Sequence, residues 1–320
     1  MVPDSPHALG DASTMAGTRC LVVGGGGFIG QAVCAALMRS GAGVTAFGRS
    51  VPEARNEDVT WVRGDADDAA ALAAALERQD VVIHLAGTID PERSNLDPLR
   101  DLAANAGTTI SLVKLAGKAG VRHIIFASSG GTVYGPTFWE RIPESAPTNP
   151  ISAYGVSKLA AEKYIAALGR LHEMKHRVLR IANPYGPGQS ATRRQGLVGV
   201  AIGRALQSNA FEIWGDGSVV RDFVHIDDVA RAFVRAIAYE GPQTVFNVGS
   251  GVGISVRHAV EYIYGACGAD RSLIRFRPGR PADVPRNVLA NDLIARETGW
   301  HPTVSWPEGI ERTIAWMRGQ

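Results

Sequence analysis

Tyr154 and Lys158 are the two side chains of this sequence whose types and spacing best suit acid-base chemistry. Residues four apart lie on one face of a helix, so the pair meets if this segment is helical. A lysine ammonium there lowers the pKa of the phenol, and the tyrosine then exchanges a proton with a substrate hydroxyl while a hydride moves to a cofactor. The pattern is also common by chance, and an exposed tyrosine beside a solvated lysine is the alternative interpretation.

A glycine-rich turn provides a place for that cofactor. Gly24, Gly27 and Gly30 follow an apolar strand and open a helix in the spacing GxxGxxG. Glycines let the backbone turn tightly and approach a pyrophosphate, whose charge meets the N–H groups at the helix start. A plain tight turn also uses glycines, but the strand before and the helix after predict a dinucleotide site. Besides Tyr154 and Lys158, the further predicted cofactor contacts are Phe28, Ile29, Leu85, Ala86, Gly87 and Ser128.

The end of the second predicted strand bears on the choice between NAD and NADP. An acidic residue about 20 positions beyond the glycines often holds the ribose hydroxyls of NAD. Here Gly48 stands at the expected position and Arg49 follows it. A missing carboxylate beside a guanidinium permits the 2′-phosphate of NADP, whereas an Arg49 that stacks on adenine or lies in solvent leaves NAD as the cofactor. Asp65, after the third strand, is either a contact to the adenine amino group or an exposed loop acid.

The elements that position these residues alternate along the chain. Short β-branched runs and Ala/Leu-rich helical stretches follow one another from Arg19 onward, which predicts an α/β fold with a doubly wound, Rossmann-type parallel sheet. After Pro184, glycine, proline and arginine become frequent, which predicts a smaller C-terminal α/β lobe. Asp227 or Asp228 is predicted to cap a helix, which explains these acids more simply than a metal site formed with His225. The predicted domains are a disordered tail (1–17), a dinucleotide-binding domain (18–183) that 225–249 can rejoin, and a nucleotide-sugar-binding lobe (184–320).

The composition argues against several classes of protein. The formal net charge is +2 without long basic runs, which argues against a nucleic-acid partner. Four consecutive glycines interrupt the apolar run that begins at Cys20, so neither a membrane span nor an export signal is predicted. The three cysteines lack metal-like spacing and no metal site is expected. Free thiols in apolar stretches indicate a reducing compartment, and the cytoplasm is the expected location.

Longer motifs occur here in the order typical of one family. They are the glycine loop, Phe126–Gly135 (FASSGGTVYG), the Tyr154/Lys158 pair, Arg180–Gly188 (RIANPYGPG), and Trp214–Gly217 followed by Arg221–Phe223. On these motifs the chain, from Arg19 to its C-terminus, resembles the UDP-glucose 4-epimerase group of the extended short-chain dehydrogenase/reductases.

The resemblance implies roles for individual residues. Tyr154 and Lys158 match the family's acid-base tyrosine and its lysine. Arginine forks suit the diphosphate of a UDP- or dTDP-sugar, although each arginine taken alone resembles a surface charge. The family also implies a homodimer built on a four-helix face of 101–119 and 154–168, a pattern that core packing explains equally well. The residues that match substrate contacts are Asn183, Trp214, Arg221, Arg280 and Asp283.

One position departs from the family pattern. The third catalytic hydroxyl, a serine or threonine, normally lies two positions before the Thr-Val-Tyr-Gly step, and here that position is Gly130. Thr132 is the first candidate to supply the hydroxyl instead, and Ser129 is the second. Ser128 lies lower on the strand, as a structural residue or a nicotinamide contact. Because a Ser-Ser-Gly-Gly-Thr run is typical of a subgroup, the change indicates specialisation and not loss of activity.

These features favour epimerisation at C4 of a UDP- or dTDP-hexose through a 4-keto intermediate. Arg49 beside Gly48 motivates the alternative, an NADPH-dependent 4-keto-sugar reductase. A third hypothesis, a catalytically silent dinucleotide-binding sensor, rests on Gly130 alone. The intact Tyr154/Lys158 pair argues against it.

Overall fold

A large parallel sheet is the main feature of the computed structural model, which describes residues 15–52, 56–87, 91–191, 196–279 and 284–320. The strands of this described part are β1 Arg19–Val23, β2 Gly43–Gly48, β3 Thr60–Arg63, β4 Val81–His84, β5 His123–Ser129, β6 Lys175–Ile181, β7 Asn183–Tyr185, β8 Phe211–Trp214, β9 Val220–His225, β10 Val245–Val248, β11 Gly253–Ser255, β12 Ile274–Arg277 and β13 Arg286–Asn287. The α-helices are α1 Phe28–Arg39, α2 Ala69–Leu76, α3 Pro91–Leu96, α4 Pro98–Leu102, α5 Thr108–Lys118, α6 Ala153–Leu171, α7 Leu197–Leu206, α8 Ile226–Ala238, α9 Val256–Cys267, α10 Asp292–Thr298 and α11 Trp306–Arg318.

The main sheet has seven parallel strands in the order β10-β6-β5-β4-β1-β2-β3. Its central strands contain continuous apolar runs such as residues 81–83 of β4, every one of which is buried. Parallel strands have such apolar sequences because helices cover both faces of the sheet. Here α1 and α8 pack on one face, and α2, α5 and α6 pack on the other. The predicted Rossmann-type α/β sheet is confirmed.

The lobe after residue 184 contains two small sheets. One has the order β11-β9-β13, with β7 paired to β9, and the other joins β12 to β8. Between them the chain returns to the main layer, because α8 packs against α1 and β10 pairs with β6. We propose that the dinucleotide-binding domain comprises residues 18–183 together with 225–249, and that the lobe comprises the rest of 184–320.

The N-terminal boundary differs from the prediction. Met15 is only 3% exposed and belongs to the same apolar cluster as Cys20 and Val44. Its backbone N–H donates to the carbonyl of Ser40 at 3.0 Å. The predicted disordered tail of residues 1–17 is therefore wrong for residues 15–17, where an apolar side chain fixes the chain against α1. Residues 1–14 lie outside the described part.

The predicted helix of residues 101–119 is divided by a π-helical turn at Ala103–Gly107. Side chains of this turn bond to backbone carbonyls: Asn105 Nδ2 donates to Asp101 O at 3.2 Å, and Thr109 Oγ1 donates to Asn105 O at 2.6 Å. Side-chain hydrogen bonds of this kind compete with the regular helical ladder. Single π-turns of this type often lie beside functional sites, and this one borders the catalytic helix α6.

The cap of α8 is also different from the prediction. His225, and neither Asp227 nor Asp228, is the N-cap, because its Nδ1 accepts the backbone N–H of Asp227 at 3.2 Å. Asp228 is buried and instead accepts hydrogen bonds from Thr303 Oγ1 and the Val304 N–H. The predicted capping role of the two acids is therefore wrong, since a neutral imidazole nitrogen can accept the same bond.

Two further properties of the described residues bear on the sequence predictions. No helix among them combines the length and apolar character needed to cross a membrane. All three cysteines are free, and Cys20 and Cys34 are buried in β1 and α1. Burial raises the pKa of each of these two thiols to about 12, so both stay protonated and unreactive at neutral pH.

The Asp222 carboxylate joins the lobe to the edge of the main sheet. It is fully buried on β9 and accepts hydrogen bonds from the N–H and hydroxyl of Ser250 and from the N–H groups of Gly251 and Leu289. Two segments therefore meet at this one carboxylate of β9: the turn between β10 and β11, and the chain that follows β13.

We expect Asp222→Ala to lower the free energy of unfolding by about 3 kcal/mol or more, because buried donors are left without an acceptor. Urea denaturation followed by circular dichroism measures the change. Asp58→Ala, at an exposed position before β3, is the matched control and should leave the unfolding midpoint almost unchanged. A loss below about 1 kcal/mol for Asp222→Ala would contradict this role.

Candidate active site

Tyr154 and Lys158 lie in the first two turns of α6, whose start is fixed by Ser152. The Ser152 hydroxyl accepts the Gly155 N–H at 3.1 Å, a standard N-cap that sets the helix at this point. Both catalytic candidates are buried, and Lys158 Nζ is 5.8 Å from the centre of the Tyr154 ring. The same ammonium donates to the carbonyl of Ala127 on β5 at 3.2 Å. The helix therefore places both groups at the carboxyl end of β5.

Burial changes the acidity of both groups. It raises the pKa of the Tyr154 phenol, an effect to which the nearby Asp101 carboxylate adds, while a hydrogen bond from the Ser129 hydroxyl opposes it. Burial lowers the pKa of Lys158 to about 8, and the charges of Asp101 and Glu162 partly offset this. At pH 7 the lysine is therefore still mostly protonated and can stabilise a phenolate beside it.

The Ser129 hydroxyl opposes the rise in the pKa of the Tyr154 phenol, which indicates that these two side chains are close to each other. Thr132, the first candidate from the sequence, has its Oγ1 3.5 Å from the carbonyl of Ser129. At Gly130 a Cβ atom would lie 2.5 Å from Leu289 Cδ1 and 3.0 Å from the Arg180 carbonyl. Leu289 thus occupies the space that a serine or threonine at position 130 would need.

Ser128 points away from Tyr154, into a buried polar cluster. Its hydroxyl donates to Glu162 Oε1 at 2.5 Å, and Arg180 forms an ion pair with the same carboxylate at 2.7 Å. Arg180 Nη1 also donates to the hydroxyl of Tyr134 at 3.0 Å. Glu162 was missed by the sequence reasoning, although its position eight residues after Tyr154 places it on the same helix face. The geometry gives Ser128 a structural role on the strand.

Asp101 is a second buried carboxylate that the sequence reasoning missed. It accepts hydrogen bonds from Ser94 Oγ at 2.6 Å, from Asn105 Nδ2 at 2.9 Å and from Ser157 Oγ. The Ser157 contact ties α4 to α6 directly between Tyr154 and Lys158. The negative charge of Asp101 therefore acts on both Tyr154 and Lys158 from the side of the π-turn.

The predicted glycine loop has the shape of a dinucleotide cradle. Gly24 has a φ of +92°, and a Cβ on it would lie 2.9 Å from the backbone N of Ala86. At Gly30 a Cβ would lie 2.3 Å from the Gly24 carbonyl, so the helix start could not close onto the turn. Gly27 is the N-cap of α1, whose first turn holds no acidic residue. These residues fit a pyrophosphate, which needs a close backbone and a helix N-terminus.

The cradle and the acid-base pair are adjacent. The 85–86 backbone lies against Gly24, and a Cβ at Gly87 would be 2.5 Å from Asn105 Oδ1 and 3.3 Å from Lys158 Nζ. Phe28 is at the start of α1 near Gly188, whose Cβ would lie 3.5 Å from its ring. Ile29 is half-buried beside it, and Arg49 and Asp65 are exposed at the far, adenosine side. The cofactor set predicted from the sequence, Ser128 aside, thus follows one edge of the sheet.

The predicted substrate contacts lie where the lobe meets that edge. Asn183 Nδ2 donates to the Asp222 carbonyl at 2.9 Å, which places Asn183 next to Arg221. Arg221 is half-buried and donates to the carbonyl of Val284 at 2.7 Å. Trp214 is exposed at the end of β8. Arg280 and Asp283 lie outside the described residues.

His84 ends β4 and packs beneath the site. It is buried, its Nε2 is 2.8 Å from Thr109 Oγ1, and its ring is 5.2 Å from that of Phe126. Burial, together with the positive charge of Lys158, lowers its pKa to about 3. His84 is therefore neutral and structural, and the described residues contain no group of three His, Cys, Asp or Glu placed to hold a metal ion.

Comparisons with known proteins agree with this geometry. The model of the NAD dependent epimerase/dehydratase family matches residues 20–249. The chain belongs to this family. The UDP-glucose 4-epimerase of Mycolicibacterium smegmatis is 36% identical over 94% of this chain and 99% of its own length.

Solved structures give the same picture. The structure of UDP-glucose 4-epimerase from Thermotoga maritima with UDP-glucose is 33% identical, covers 94% of this chain and 99% of its own, and has a TM-score of 0.90. The Thermus thermophilus UDP-glucose 4-epimerase in complex with NAD is 32% identical, with a TM-score of 0.86 and coverage of 94% and 99%.

We expect the protein to lose stability as the pH falls below about 6.5, because two buried histidines stay neutral in the folded state. His84 and His123 each have a folded pKa of about 3 against an ordinary value of 6.5, with burial as the main cause. The unfolded chain therefore binds more protons between these values, and each histidine costs about 2 kcal/mol at pH 5. Urea unfolding between pH 7.5 and 5 measures the slope.

His123→Gln removes one of the two groups and should reduce that slope by about one proton. His258→Gln, at an exposed position, is the matched control and should keep the wild-type slope. An unchanged slope in His123→Gln would show that this histidine is not buried neutral.

Proposed function

We propose that this protein is a nucleotide-sugar 4-epimerase that inverts C4 of a UDP- or dTDP-hexose and uses bound NAD. The observation that carries the proposal is the buried pair of Tyr154 and Lys158, with the half-buried Ser129 close to Tyr154, beside the glycine cradle of β1 and α1. Bound NAD supplies the hydride acceptor and donor for the sugar carbon. Membership of the family and the similarity to UDP-glucose 4-epimerases support this choice.

Each residue of this group has a separate task. Tyr154 takes the proton from the C4 hydroxyl and later returns it, so acid and base are the same group. Lys158 stabilises the phenolate by its charge and is held in place by the Ala127 carbonyl. Ser129 supports the oxygen of Tyr154 by its hydrogen bond and takes the place of the hydroxyl missing at Gly130. The 4-keto sugar formed in between presents its other face before reduction, and no second substrate is consumed.

The lobe holds the nucleotide diphosphate in this proposal. Asn183 and Arg221 lie together at the lobe edge, and Arg221 can direct donors of its guanidinium to phosphate oxygens. Trp214 offers an exposed ring at the end of β8 for the base. We propose Arg280 and Asp283 as further contacts to phosphate and ribose. We propose that side chains within residues 88–97 and 193–198 select the substrate sugar.

Tyr154→Phe should abolish turnover, by about 10³-fold or more, while cofactor binding is kept, because only the proton-transferring oxygen is lost. Ser129→Ala should lower kcat by about 10- to 100-fold, whereas Thr132→Val, its matched control, should lower it little. The assay is mass spectrometry of the product formed from a panel of UDP- and dTDP-hexoses without added NADPH.

Equal losses in Ser129→Ala and Thr132→Val would contradict the assignment of the hydroxyl. A requirement for added NADPH, with a reduced sugar as the product, would identify the protein as a reductase. Unchanged activity in Tyr154→Phe would exclude the mechanism altogether.

We further propose that the protein is cytoplasmic, since its free buried cysteines fit a reducing compartment. We also propose that it is a homodimer. The dimer face is formed by α3, α4 and α6, which pack against one another and carry exposed apolar side chains. Leu96 and Leu99 are 85% and 79% exposed, and Val156 and Tyr164 of α6 are exposed as well. Apolar side chains clustered on adjoining helices are typical of surfaces covered by a partner.

Leu99→Lys should convert the dimer to a monomer, because it places a charge in the apolar face. Sedimentation velocity measures the change, and the exposed Leu171→Lys at the far end of α6 is the control that should stay dimeric. A wild-type protein that sediments as a monomer would contradict the dimer.

A further inference from the structure

The end of β2 lies directly against the glycine cradle. The backbone N–H groups of Gly24 and Gly25 both donate to the carbonyl of Phe47, at 2.8 and 3.3 Å. A Cβ at Gly26 would lie 2.0 Å from the Ser50 carbonyl. The segment of residues 48–50 is therefore fixed beside the dinucleotide loop, where the ribose of an adenosine half is bound in this fold.

No carboxylate stands at this place. A Cβ at Gly48 would have nothing nearer than Gly24 Cα at 3.9 Å, so a larger side chain is absent there although space for its first atom exists. Among the described residues, Glu57 and Asp58 precede β3, whereas Asp65 and Asp68 follow it; Asp65 accepts the N–H of Asp67, and Asp68 caps α2. Position 48 itself lacks the acid that would bind ribose hydroxyls and repel a phosphate.

Two arginines lie beside Gly48. Arg49 follows Gly48, and Arg63 is the register partner of Gly48 on the neighbouring strand β3. Register partners in parallel strands direct their side chains to the same face, as Ala46 and Trp61 do two residues earlier. That face is the one on which the glycine loop and α1 lie. Both arginines are exposed, and neither forms an ion pair with a described residue.

We propose that Arg49 and Arg63, with Gly48 between them, form a 2′-phosphate subsite, so that the protein binds NADP as well as NAD. Guanidinium groups bind phosphate oxygens through paired, charge-assisted hydrogen bonds. A carboxylate at position 48 would repel that phosphate and hold the free ribose hydroxyls, which is how the fold selects NAD. This inference rests on the proposed function, because it concerns the cofactor of the same site.

Competition between the two cofactors tests the subsite. Purified protein is equilibrated with equimolar NAD and NADP in mild urea, which releases retained nucleotide, and is then returned to buffer. Mass spectrometry of the bound nucleotides gives the ratio of NADP to NAD. We expect both to be bound, with a ratio within about tenfold of unity, equivalent to about 1.4 kcal/mol.

Substitutions distinguish the effect of charge at the subsite from the effect of side-chain size. Arg49→Ala and Arg63→Ala should each lower the ratio of NADP to NAD by about tenfold, as expected for loss of one charged hydrogen-bond donor to a phosphate. Gly48→Asp should lower it by about 100-fold, whereas Gly48→Asn, of the same size without the charge, should lower it much less. Arg39→Ala, at the other end of α1, is the control and should leave the ratio unchanged.

Three outcomes would overturn the inference. A wild-type ratio below about 0.1 would show that the site disfavours the 2′-phosphate. Equal effects of Gly48→Asp and Gly48→Asn would show that space, and not charge, controls the choice. A protein that binds NAD alone with full epimerase activity defeats this inference only, whereas one that binds neither nucleotide defeats the proposed function as well.

Discussion

Glu162 and Arg180 meet behind the catalytic helix in an ion pair that is almost fully buried. Removing two charges from water is costly, and only close geometry with further hydrogen bonds offsets that cost. Here Ser128 and Tyr134 supply those bonds, and Tyr134 in turn donates to Asn247 Oδ1 at 2.7 Å. One pair of charges thereby fixes β5, β6, β10 and α6 relative to one another.

This ion pair also helps to determine where Tyr154, Lys158 and Ser129 lie. Ser129 follows Ser128 on β5, and Lys158 lies one turn before Glu162 on α6. The ion pair and the Ser128 hydrogen bond thus fix the position of α6 along β5 and β6. The negative charge of Glu162 also helps to keep Lys158 protonated in a buried place, as does Asp101 on the opposite side. The site is thus held by charges that never touch the substrate.

The fold, the glycine loop and the Tyr154/Lys158 pair can be predicted from the sequence for a physical reason. Buried parallel strands need unbroken apolar runs, and the glycine loop needs residues without a Cβ, so both leave local signals. Tyr154 and Lys158 act through a helical spacing that is also local. The partners of Ser128 and Asp101 are set by packing between distant segments, and nothing in the order of residues reveals them.

The same distinction explains the errors. The choice between Thr132 and Ser129 stays a prediction, because it depends on how the chain turns after β5, and the residue that fills the space beside Gly130, Leu289, lies far away in the chain. His225 caps α8 because its imidazole is neutral, a property of burial that its residue type does not reveal. Met15 is buried because α1 and the start of β2 leave room for it, although no apolar run in the sequence surrounds it.

The contact between Gly130 and Leu289 also bears on how such a site changes over evolutionary time. Leu289 fills the volume beside the strand end, and its backbone N–H is bound to Asp222. A serine at position 130 would therefore meet Leu289 Cδ1 at 2.5 Å and the Arg180 carbonyl at 3.0 Å, and the leucine side chain would have to turn away. Overpacking of this kind is destabilising, so a serine introduced alone at this position carries a cost in stability. A smaller residue at position 289 would relieve that cost.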